Sequence, residues 1–163
     1  RAIRDFNQAF VDELDEKTFA MGLTTGRTPV GLYRELAVRY AKGEVSFRRV
    51  SVYSLDEFYP ITPKEQQSRN YCIHEEFINH VDILPENVHL IDSNVKQADL
   101  GKYCAAYDAA AAGIDLMIIG MGEQGQIGFN DVGSNIKSRT RLVQLTHNAR
   151  KTQTDLFFGA DNT

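Results

Sequence analysis

The stretch IDLMIIGMGEQGQIGFNDVGSN, Ile114 to Asn135, decides how the chain is read. A continuous apolar run, Ile114–Ile119, leads into Gly120, Gly122 and Gly125 in G-x-G-x-x-G spacing. The run reads as a strand buried on both faces of a parallel sheet. A dinucleotide site would need a helix starting at the third glycine, and an acidic residue about 20 positions on that ends a second strand. Here Gly125 opens into QIGFNDVGSN, which carries Gly128, Gly133 and no helical stripe, and the region around Leu145 offers Thr146 and His147. A tight turn or a loop for another phosphorylated ligand remains.

Upstream, the apolar periodicity alternates between helix and strand. Ala2–Leu14 has helical spacing, Thr18–Leu23 reads as a strand, and Val30–Ala41 as an amphipathic helix with Pro29 near its start. Arg49–Leu55 reads as a strand, Ser68 caps a helix running to His80, and Asn87–Ile91 is a short strand. Gln97–Ala112 is a helix, Arg141–Leu145 a strand and His147–Phe158 a final helix. Such alternation predicts an α/β fold with a mostly parallel sheet in a Rossmann-like three-layer sandwich. Ligands bind beyond the carboxyl ends of such strands. TTGRTP (Thr24–Pro29), DEF (Asp56–Phe58) and the glycine loop should therefore converge on one cleft.

The 163 residues, 42% hydrophobic and 25% charged, fit one domain over 1–163, with no repeat or linker marking a boundary. The net charge of -4, with no basic stripe, argues against a nucleic-acid partner. No apolar run is long enough for a membrane span. The opening RAIRDFNQAF is too charged for a signal peptide. Cys72 and Cys104 form no C-x-x-C pair, which fits a reducing cytoplasmic compartment. HEEFINH sets His74 and His80 six apart, on different sides of a helix, so no metal site is expected. No cofactor is expected.

TTGRTP offers threonine hydroxyls, a glycine, an arginine and an incipient helix N-terminus, the parts of an anion cradle. Asp56 and Glu57 close a strand on opposite faces, so one should face the cleft and the other the helix layer.

Together these segments resemble the glucosamine-6-phosphate deaminase (isomerase) family, in the larger group that includes the 6-phosphogluconolactonases. The family reads P-T-G-x-T-P, D-E-[YF], G-x-G-x-[DNT]-G-H-I-[AG]-F-N-E-P-[AG]-S and S-R-T-R; this chain has TTGRTP, LDEFYP, GMGEQGQIGFNDVGSN and SRTR. The resemblance implies isomerisation of an amino-sugar phosphate to a ketose phosphate with release of ammonia. Asp56 matches the proton-transfer carboxylate, and Thr25, Gly26, Arg27 and Thr28 match the phosphate cradle. Gly125, Phe129 and Asn130 fall in the matching glycine loop, the last two at the floor of the site. The ring-opening histidine falls at Gln126, and its acidic partners at Gln124 and Asp131. A glutamine amide orients a hydroxyl but exchanges no proton near neutral pH. Ring opening is therefore expected to be lost or weakened. A catalytically silent sugar-phosphate binder and a lactonase-like hydrolase are the alternatives.

The resemblance also implies further strands and helices, including a phosphate-contacting lysine, so the family fold is expected to be truncated at the C-terminus here. Ser134 and Arg141 keep part of an effector pocket that Asn135 and Val143 depart from, and allosteric control is not expected. The partner is a small sugar phosphate, and a homo-oligomer is compatible with the sequence.

Overall fold

The computed structural model describes residues 18–122, 125–130, 133–147 and 149–151. The expected helix at Ala2–Leu14 and most of the expected final helix lie outside these residues, although 147 and 149–151 are helical. The elements run β1 (Phe19–Leu23), α1 (Arg27–Ala41), β2 (Val50–Ser54), α2 (Arg69–Glu76), β3 (Val88–His89), α3 (Leu100–Ala110) and β4 (Leu116–Met117). The four strands pair in the order β3-β2-β1-β4, and each ladder is parallel. This is the α/β fold that the alternating pattern predicts.

Each element follows from its spacing. In VSVYS, Val50, Val52 and Ser54 are buried while Ser51 and Tyr53 are half-buried, the two-residue period of a strand. On α1, Pro29, Tyr33 and Leu36 share the buried face at helical intervals. Tyr33 stacks on Phe77 at 5.0 Å, and Phe47 meets Phe77 edge-on at 5.3 Å. Ser68 caps α2, accepting the Tyr71 N–H at 3.3 Å.

The turn from β1 into α1 has no side-chain cap. Gly26 supplies its positive φ of 97° instead. The turn is fastened from below by Tyr33, whose hydroxyl donates to the Thr24 carbonyl at 2.8 Å and accepts the Thr24 N–H at 3.2 Å.

Three expectations need correction. The strand over Ile114–Ile119 shrinks to Leu116–Met117, half-buried and paired only with β1, and Ile119 is 44% exposed. Among the described residues β4 is an edge, so it cannot be covered like a central strand. Arg141–Leu145 joins no ladder. Its start is held by side chains, with Arg141 donating to Ser134 Oγ at 2.7 Å and to the Arg139 carbonyl at 3.1 Å. The helix from Ser68 ends at Glu76, because Phe77 (φ −143°, ψ −62°) leaves the helical region, and a 3-10 turn covers Ile78–His80.

Replacing Tyr33→Phe strands the Thr24 amide and carbonyl in the core. It is expected to lower unfolding free energy by about 1–3 kcal/mol in a urea titration. An unchanged midpoint would show that the turn is held by other means.

Candidate functional site

The exits of β2 and β3, the helix α3 and the segment 138–143 enclose a cavity of about 270 Å³. Asp56, Phe129 and Asn130 line it. Tyr103, Cys104 and Asp108 line it from α3, and Arg139, Thr140 and Arg141 from the adjoining wall. That wall is fixed by Asp108, which accepts the Thr140 N–H and hydroxyl at 3.2 Å each and the Arg139 guanidinium at 3.1 Å. The Thr140 N–H, foremost among these contacts, holds the Asp108 carboxyl below the usual range.

Asp56 and Glu57, adjacent in sequence, do different work. Glu57 turns to the helix layer. Its carboxylate accepts Ser68 Oγ at 2.7 Å and the backbone N–H groups of Phe58, Arg69 and Asn70 at 2.8, 2.9 and 2.9 Å. An anion at the start of α2 also meets the positive end of the helix dipole. Asp56 borders the same cavity as Glu57, with its side chain 16% exposed, and is set against Arg69 rather than the helix start. Burial pushes its carboxyl above the ordinary carboxylate value, opposed by Arg69, reinforced by Glu57 and opposed again by the Phe129 N–H.

Arg69 is the residue that sequence reasoning missed. Its Nε lies 3.7 Å from Asp56 Oδ1, an ion pair longer than a hydrogen bond. Its guanidinium carbon lies 4.8 Å from the centre of the Phe58 ring and 5.1 Å from that of Phe129. One signal was available: a cation in the first turn of a helix opposes the helix dipole, so it must be held there by something else.

The glycine loop bends back on itself. Met121 and Ile127 form an antiparallel bridge, as do Ile127 and Asn130. Gly122 donates to the Gln126 carbonyl at 2.8 Å, and Gly125 to the Gly122 carbonyl at 2.9 Å. No helix starts at Gly125, so the dinucleotide geometry is absent from the described residues here. At Gly128 φ is +56°, and an added Cβ would lie 2.9 Å from Asp56 Oδ2. Glycine thus lets the loop close over the carboxylate.

The other expected residues are placed less centrally. Thr25 and Gly26 are half-buried, Arg27 and Thr28 are exposed, and none of the four lines the cavity. The cleft shared by all three loops is therefore corrected: TTGRTP touches the glycine loop near Gly120, where an added Cβ would lie 3.3 Å from Thr28 Oγ1. Gln126 is outside the cavity wall, with its amide against Gly122. Gly125 is exposed. Gln124 and Asp131 lie outside the described residues. No cluster of three or more metal-ligating side chains occurs among the described residues.

Residues 1–154 match the family model for glucosamine-6-phosphate isomerases/6-phosphogluconolactonase. The chain belongs to that family. It is 42% identical over 134 residues to a glucosamine-6-phosphate deaminase of Porphyromonas gingivalis, covering 80% of this chain and 50% of that one. It is 37% identical over 149 residues to glucosamine-6-phosphate deaminase 2 of Bacillus subtilis, covering 90% and 59%. The chain thus spans only 50% and 59% of the lengths of these two relatives. Among solved structures, a monomeric glucosamine-6-phosphate deaminase superposes with a TM-score of 0.85 at 28% identity, covering 98% of this chain and 67% of that one. A 6-phosphogluconolactonase from Thermotoga maritima gives 0.68 at 25% identity, covering 85% and 62%.

Two outcomes follow from this geometry. Because Asp56 is harder to ionise when folded, its neutral form favours folding. That advantage is complete below the unfolded value near 3.8 and is lost as pH rises through the raised folded value. The stability of the native chain relative to Asp56→Asn should therefore decline upward from about pH 4 and then level off. A difference that grows with pH would contradict burial as the dominant influence. Gly128→Ala combines backbone strain with a clash on Asp56 and is expected to cost about 1–2 kcal/mol, read by thermal unfolding.

Proposed function

We propose that this chain is a deaminase/isomerase-like domain acting on an amino-sugar phosphate, with its ring-opening step impaired. The observation that carries the reading is Asp56: the position matching the family's proton-transfer carboxylate is buried at a cavity wall and harder to ionise than an ordinary carboxylate. A base for moving a proton between C2 and C1 needs that character. It must hold a proton long enough to return it, and a raised carboxyl does so nearer neutral pH. Phe129 and Asn130 lie beside it and fit the floor of a sugar site. Thr25, Gly26, Arg27 and Thr28, at the start of the fifteen-residue helix α1 and beside the glycine loop rather than in the Asp56 cavity, match the family's phosphate cradle. The reaction consumes water and releases ammonia. A proton moves from C2 to C1, water adds at C2 and ammonia leaves, so the reaction is redox-neutral and calls for no redox cofactor.

Gln126 is the departure. The family's histidine moves a proton between ring oxygen and anomeric hydroxyl, which an amide cannot do. Gln124 and Asp131, at the positions of the acidic partners, leave one carboxylate of the original two. Open-chain substrate would still meet Asp56. Gln126 also favours a second reading, a sugar-phosphate binder without turnover. The half-buried, unbridged Cys72 and Cys104 support action in a reducing cytoplasm. No helix among the described residues is long and apolar enough to cross a membrane.

Ammonia release from glucosamine 6-phosphate separates these readings. The double variant Gln126→His with Gln124→Asp is expected to exceed the unaltered chain by about 10²–10⁴-fold, and Asp56→Asn should abolish the gain. An unaltered chain already working at an ordinary deaminase rate would refute the impairment. Calorimetric binding of the sugar phosphate with no turnover in the double variant would favour the silent binder. Hydrolysis of a sugar lactone phosphate would favour a lactonase-like activity.

A further inference from the structure

Arg69 is 7% exposed, yet it sits in the first turn of α2, where the helix dipole disfavours a cation. Two aromatic faces take the place of water around it. Phe58 comes from the loop after β2 and Phe129 from the glycine loop, their ring centres 5.2 Å apart. A planar guanidinium can lie against both rings while its edge faces a carboxylate, whereas a strongly hydrated ammonium cannot. The edge does face one, Asp56, at 3.7 Å. Three segments distant in sequence thus meet on one cation.

Among the described residues, the charged and polar groups that face Asp56 are Arg69 from α2, Glu57 from its own loop and the Phe129 N–H from the glycine loop. Glu57 is spent on three hydrogen bonds from the helix start and one from the Phe58 N–H. Arg69 is the only cation in this group. Burial raises the Asp56 carboxyl, and the Arg69 charge opposes that rise.

We propose that Arg69 is the positioning residue for Asp56, packed against the neighbouring Phe58 and Phe129 rings so that the carboxylate is held available at the cavity wall. The proposal rests on the reading of Asp56 as the proton-transfer group. It predicts that charge and planarity at position 69 are separable. A lysine keeps the charge and loses the stacking, and a methionine loses both.

The test uses the full chain with ¹³C-labelled aspartate, the Asp56 carboxyl signal being assigned by its loss in Asp56→Asn. Arg69→Met should move the Asp56 titration midpoint upward by about one pH unit or more, and Arg69→Lys by less. Phe58→Leu, which removes one of the two rings packed on the guanidinium, should shift it in the same direction and serves if the Met variant does not fold. A second readout is solvent deuterium entering C1 of fructose 6-phosphate in the Gln126→His, Gln124→Asp background. Its pH profile should follow the same midpoints, with kcat falling more than KM rises. A purely structural Arg69 would lower thermal stability and leave the midpoint unmoved, and that result overturns the proposal. A shifted midpoint with no exchange in any variant supports the positioning role and removes the functional reading of Asp56 instead.

Discussion

The Glu57 carboxylate ties the exit of β2 to the start of α2, and the candidate site depends on that tie. It accepts two backbone N–H groups of the first turn, the hydroxyl of the capping Ser68 and the N–H of Phe58. Charged acceptors on backbone amides are among the stronger hydrogen bonds in proteins. Once this junction is set, Arg69 has little choice of position and Phe58 is delivered to one side of it. Asn70, one residue on, donates to the Ile91 carbonyl at 2.9 Å, so the exit of β3 is fixed to the same helix start. A single side chain therefore relates two strand ends and a helix.

The second constraint is the parallel sheet. Its ladders bring β1 and β2 into register from Phe19↔Val50 to Leu23↔Ser54, and both chains leave at the same end. The loops after β1, β2 and β4 consequently gather at one edge, though they do not all reach one cavity. The loop after β2 and the glycine loop share it through Asp56 and Phe129, while the loop after β1 meets the glycine loop beside it. Family membership and the superposition at a TM-score of 0.85 agree with the parallel α/β sheet.

Much of this was legible in the residues themselves. The alternation in VSVYS, the spacing of Pro29, Tyr33 and Leu36, and the Ser68 cap each report a local preference that the fold keeps. Asp56 and Glu57 do make different contacts, but β2 ends at Ser54 and both border the cavity, so strand alternation does not account for the difference. The failures share a cause: apolar periodicity reveals which residues avoid water, but not whether a neighbouring strand is present to bond them. That is why Ile114–Ile119 and Arg141–Leu145 were over-read. Arg69 was missed for a related reason. Its partners lie on two other loops, and nothing within α2 names them.

Tyr33 offers a contrast with Asp56. Burial, the largest influence on its phenol, raises it well above its usual value, with the Thr24 backbone bond opposing and Glu76 reinforcing. The proton that fastens the β1 turn is thus held more tightly than on an exposed phenol. One end of the sheet carries an anchor indifferent to acidity beside a carboxyl that responds to it, so a change of pH can alter the chemistry of the cavity without loosening the turn next to it.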